Sequence, residues 1–141
     1  MMDKSEEIIF SMITDHAKYD EAVKYMSEMF EREVFDRAII LYPSGIVFST
    51  AGMAALKRDS LILKDGNLRG KNVPSPKDMK GKKFVIIGDI LSSGSVACEL
   101  IKTIKDNGGS VVKLGFMIED SQFNARKKSL KGNPVESMII L

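Results

Sequence analysis

The chain predicts an α/β fold, a three-layer sandwich built on a central, mostly parallel sheet of about five strands. Two observations carry this. Short apolar runs rich in branched residues alternate with longer segments of helical spacing, and those runs are apolar nearly throughout rather than at every second position. Strands buried on both faces are the mark of a parallel sheet covered by helices. The length of 141 residues suits a single domain, residues 1–141, which hides roughly 70% of its unfolded surface on folding.

Each element follows from its own pattern. Residues 18 to 34 place Ala22, Val23, Met26, Met29 and Phe30 on one helical face. RAIILY at 37 to 42 is too short for a helix and reads as a strand. PSGIVFSTAGMAAL turns and resumes helical spacing, offering Ile46, Val47, Ala51, Ala54 and Ala55 for packing, and SLILK at 60 to 64 is a further strand. NVPSPKDMKGKK at 72 to 83 reads as a loop broken by two prolines. FVIIG and SVACELIKTIKDNGG are the clearest strand and helix, the helix with a stripe of Val96, Ala97, Leu100, Ile101 and Ile104. Ser95 is its expected N-cap and Gly108 its expected stop. VVKLGFMI and ESMIIL supply two more buried strands.

Composition removes several function classes. With 21 basic and 19 acidic residues the formal charge is +2, which supplies no general field for nucleic acid or an anionic membrane. The longest apolar runs fall far short of the 18 or so residues of a membrane helix, and MMDKSEEIIF lacks the basic start of a signal peptide, so the expected location is the cytoplasm. One cysteine, Cys98, and one histidine, His16, exclude an internal disulfide and a multi-cysteine or histidine-based zinc centre. Cys98 reads as a packing residue, His16 as a surface cap, and the lysines of ARKKSLK at 125 to 131 as solvated charge.

The chemistry concentrates in FVIIGDILSSGS at 84 to 95, where a loop leaves the carboxyl end of a strand and enters a helix. Amides of Ser92, Ser93, Gly94 and Ser95 can point at phosphate oxygens there, and the helix dipole favours the negative charge. Asp89 would repel that phosphate and suits sugar hydroxyls or a magnesium ion. The two halves describe a phosphorylated sugar. Patterns for a nucleoside-triphosphate loop, a dinucleotide loop and a serine-hydrolase elbow are all missing from this stretch.

This motif resembles that of the type I phosphoribosyltransferases, most closely orotate phosphoribosyltransferase. An apolar strand, Gly88, Asp89, Ile90, Leu91 and SSGS occupy the places of the family's strand, two acidic residues, two further positions and Thr/Ser/Gly loop. FDRAIILYPSGIVFSTAGMAAL, LILK and NPVESMIIL resemble its first strand with pyrophosphate loop, its lysine-ending strand and its closing strand, so the likeness spans roughly 34 to 141. The resemblance implies that fold, with residues 34–141 as core and 1–33 as a short helical hood remnant. It implies transfer of phosphoribose to a nucleobase, orotate or another pyrimidine, with Mg2+ accompanying phosphoribosyl pyrophosphate, in a homodimer.

By the same resemblance Asp89 and Lys64 would be the catalytic pair. Asp89, Ile90, Leu91, Ser92, Ser93, Gly94, Ser95, Ser44, Gly45 and Lys64 would bind phosphoribosyl pyrophosphate, with Asp89 also touching its metal. Arg69 and Lys71 fall where the family has a mobile basic loop. Two departures are visible: Gly88 replaces the first acidic residue, and the hood pattern that captures orotate is not found before residue 34. They keep open a non-catalytic domain that senses nucleotides or phosphoribosyl pyrophosphate.

Overall fold

The computed structural model describes residues 3–42, 46–63 and 75–141, with the backbone alone for Pro76. Helices α1 (Lys4–Thr14) and α2 (His16–Glu31) precede β1 (Arg37–Leu41), α3 (Phe48–Ala55), β2 (Ser60–Leu63), α4 (Pro76–Met79) and β3 (Lys83–Leu91). Then come α5 (Ser95–Asp106), β4 (Ser110–Glu119), two 3-10 turns at Ser121–Phe123 and Ala125–Lys127, and β5 (Val135–Ile140). All five strands pair in parallel in the order β2-β1-β3-β4-β5. The predicted sandwich with its parallel five-stranded sheet is therefore the one observed.

The layers follow from the apolar runs. Alternate residues of β1 and β3, such as Ala38, Ile40, Val85 and Ile87, pack on one side with the helices α1 to α3. Their neighbours Ile39, Phe84 and Ile86 pack on the other side with α5 and Met79 of α4. Val85, Ile86 and Ile87 are completely buried, which is why β3 reads as a continuous apolar run and not an alternating one.

Strand order reverses between β1 and β3, because β2 lies outside β1 while β4 and β5 lie beyond β3. Open parallel sheets bind ligands in the crevice beyond the carboxyl ends of the strands at such a reversal. The ends of β1 and β3 and the starts of α3 and α5 meet at that point. The motif picked from sequence thus stands at the topological switch point.

Three local expectations are corrected. Residues 76–79, read as loop, form the turn α4, since Ser75 precedes Pro76 at the first helical position and its hydroxyl reaches Asp78 at 2.8 Å. The buried face of α3 is Phe48, Ser49, Gly52 and Met53, while Ile46, Ala54 and Ala55 are exposed. Gly52 sets that rotation, because a Cβ there would stand 2.9 Å from Met26 Cβ of α2. Gly94, at φ +74°, takes the N-cap position of α5, and Ser95 is the first helical residue. Gly108, at φ +83°, ends α5 as expected.

At Gly115 of β4 helix α2 comes close to the sheet: a Cβ there would overlap the Met29 sulfur and the Phe30 ring of α2. Gly115→Ala is expected to lower unfolding free energy by about 1–3 kcal/mol through overpacking, read from urea denaturation midpoints at constant m. A variant as stable as the parent would show that α2 is not seated against β4.

Candidate functional site

The phosphate-loop candidate is built by β3 and α5. Ser92, Ser93 and Ser95 are exposed and Gly94 is half-buried. The first bond of α5 runs from the Cys98 amide to the Gly94 carbonyl at 2.9 Å, so the amides of the turn before it face out of the helix end. Among the described residues the Ser95 amide meets only the Ser93 hydroxyl, at 3.4 Å. Gly94 is required twice over. Its φ is positive, and a Cβ would lie 2.8 Å from Ser129 Oγ and 3.2 Å from Leu130 Cγ. The loop therefore offers outward amides at the positive end of a 12-residue helix.

Asp89 is placed differently from the expectation. It is only 3% exposed, and its carboxylate accepts the Phe48 amide at 3.2 Å, the Ser49 amide at 3.2 Å and the Ser49 hydroxyl at 2.8 Å. No side chain of α3 itself caps that helix. Asp89 does so from β3, across the switch point, where the N-terminal amides welcome a negative charge. Burial pushes its carboxyl above the usual carboxylate range, opposed by the Ser49 hydroxyl and the amides of Phe48, Ser49 and Val47. A group so engaged is not open to a ribose hydroxyl or a magnesium ion. Among the described residues no group of three or more His, Cys, Asp or Glu side chains converges as a metal site, so these residues do not fit a protein-held ion.

Gly88 points the other way. A Cβ there would stand 3.2 Å from the Phe116 ring and 3.6 Å from Leu41 Cδ1, so the position of the missing first acid is filled by packed core. Leu91 is also core, packed with the α5 side, and its carbonyl accepts the Asp120 amide at 2.9 Å. Ile90 is half-buried against the opposite cluster. Ser44, Gly45, Lys64, Arg69 and Lys71 lie outside the described residues.

Beyond Ser92 opens a cleft of about 570 Å³, lined by Asp3, Lys4 and Ser5 at the start of α1, by Asp120 to Phe123 after β4, and by Leu141. Ser5 is 6% exposed, and among the described residues its hydroxyl donates to no partner. Phe123 turns an aromatic ring, 47% exposed, to the surface. The segment carrying it is braced from below. Glu119, 5% exposed at the end of β4, accepts Arg126 Nε at 2.8 and 2.9 Å and the Ser137 hydroxyl at 2.7 Å, while Arg126 also donates to the Val135 carbonyl. Arg126 thus has a structural role, holding the excursion after β4 to the strand ends. Sequence reading missed Ser5, Ser49 and Phe123, none of which sits in a motif of its own.

Comparison with known proteins agrees with this fold. No family model matches the chain. It is 29% identical over 149 residues to the adenine phosphoribosyltransferase of Thermotoga maritima, an alignment covering 94% of this chain and 85% of that one. The crystal structure of adenine phosphoribosyltransferase from Thermoanaerobacter pseudethanolicus superposes with TM-score 0.76 at 20% identity, over 92% of this chain and 84% of that one. Mycobacterium tuberculosis orotate phosphoribosyltransferase in complex with phosphoribosyl pyrophosphate superposes with TM-score 0.69 at 18% identity, over 92% and 77%. The architecture is the type I phosphoribosyltransferase fold, and the resemblance read from the motif at 84 to 95 holds across nearly the whole chain.

Two outcomes follow from the Asp89 cap. Ser49→Ala removes one buried hydrogen bond and is expected to cost about 1 kcal/mol in chemical denaturation. Because the folded carboxyl titrates above its ordinary value, the folded state holds the proton more tightly, and Asp89 contributes less stability as pH rises from about 4 through the folded pKa. The stability advantage of the parent over Asp89→Asn should therefore shrink across that window. An advantage that grows would mean the carboxylate titrates low.

Proposed function

We propose that the protein is a phosphoribosyltransferase that joins a purine base, adenine in the first instance, to phosphoribosyl pyrophosphate and releases pyrophosphate. The observation carrying this is the loop 92–95, with its outward amides and obligate Gly94 at the switch point of a type I phosphoribosyltransferase fold. In this reading the amides of Ser93, Gly94 and Ser95 hold the 5′-phosphate, and the diphosphate lies toward the N-terminus of α3. Ser44, Gly45 and Lys64 are assigned to that end by resemblance. A base nitrogen attacks the anomeric carbon as the bond to pyrophosphate breaks, the electron pair leaves with the pyrophosphate, and the nitrogen's proton passes to water. Magnesium belongs here as a companion of the substrate's diphosphate, not as an ion held by Asp89.

The cleft beyond Ser92 is the place for the base. It adjoins the phosphate loop, and it offers the Phe123 ring for stacking and the Ser5 hydroxyl for hydrogen bonding. Adenine is preferred to the orotate expected from the motif because the similar curated sequences are adenine phosphoribosyltransferases. A second reading, a domain that binds phosphoribosyl pyrophosphate or nucleotides without turnover, is favoured by one observation. Neither acidic position of the motif offers a free carboxylate, since Gly88 has none and Asp89 spends its own on α3.

Calorimetric titration with phosphoribosyl pyrophosphate and magnesium, followed by adenine or orotate with a pyrophosphate assay, separates the readings. Pyrophosphate release with adenine and not orotate is expected. Release with orotate alone would reverse the base assignment, and binding without release would establish the sensor. Gly94→Ala should weaken phosphoribosyl pyrophosphate binding at least tenfold, because the added methyl meets both the positive φ and Ser129.

A further inference from the structure

We propose that Ser129, which lies 34 residues beyond the end of the motif, is a positioning residue that aims the Gly94 amide at the bound phosphate; this rests on the phosphate reading of loop 92–95. The Ser129 hydroxyl donates to the Ser93 carbonyl at 2.5 Å. In a planar trans peptide the carbonyl of one residue and the N–H of the next point in opposite directions. Holding the Ser93 carbonyl toward Ser129 thus turns the Gly94 N–H toward the loop mouth. The same contact keeps a carbonyl oxygen, which would repel an anion, away from the phosphate.

The arm that carries Ser129 is rigid enough for this work. Leu130 beside it is completely buried, and its amide donates to the Ala125 carbonyl at 2.8 Å. Arg126 ties the same excursion to Glu119 and to the Val135 carbonyl. Gly94 fits against the arm with no space for a side chain. The excursion after β4 therefore serves both ends of the cleft, presenting Phe123 at one and bracing the phosphate loop at the other.

Titration of the parent, Ser129→Ala and Ser129→Thr with inorganic phosphate, phosphoribosyl pyrophosphate and adenine, alongside thermal unfolding, tests the assignment. Ser129→Ala is expected to weaken both phosphate ligands about three- to tenfold, leaving adenine binding and the melting temperature near the parent's, and Ser129→Thr to restore phosphate binding. Equal phosphate affinity in parent and Ser129→Ala would overturn the positioning role, as would equal loss for adenine or a collapse of the fold. Failure of the parent itself to bind either phosphate ligand would overturn the phosphate reading on which the inference stands.

Discussion

A buried carboxylate joins the two halves of the site. Asp89 leaves the central strand, reaches the first turn of α3 and replaces the cap that α3 does not supply for itself. A charge in that position must be offset by donors, and three are supplied from two consecutive residues, Phe48 and Ser49. The start of α3 is thereby fixed to the end of β3. Ligands of open parallel sheets bind at such a switch point, so in the proposed reading this one side-chain interaction sets the spacing there.

The remainder of the architecture supports that arrangement. Apolar strands buried on both faces bring β1 and β3 side by side, and Gly52 lets α3 settle onto α2 at the rotation that turns Ser49 inward. On the far side Glu119 and Arg126 brace the excursion after β4 against the same edge of the sheet. The loop before α5, α3 and the cleft beyond Ser92 thus share a common support. A phosphorylated sugar bound there would be held mainly by backbone amides, which a sequence can preserve with serine and glycine alone.

Much of this was legible because it depends on local pattern. The runs at 37–42 and 84–88 and the stripe of α5 gave the sheet and its covering helix, and the small residues at 92–95 marked the turn from β3 into α5. What could not be read depends on contacts between distant residues. Asp89 and Ser49 are separated by 40 positions, so a lone acid after a strand looked free for ligand when the fold had already engaged it. The rotation of α3 was set by a glycine against another helix and not by its own alanines. The α4 turn was different: its serine–proline start was present, but two prolines and a lysine run made the segment look like loop.

The measurement that bears most directly on this account is a crystal structure with phosphoribosyl pyrophosphate bound. The account predicts the 5′-phosphate on the amides of residues 93–95, with Asp89 still accepting the Phe48 and Ser49 amides. Asp89 released from α3 and bonded to the ribose hydroxyls, or a phosphate seated away from α5, would contradict it.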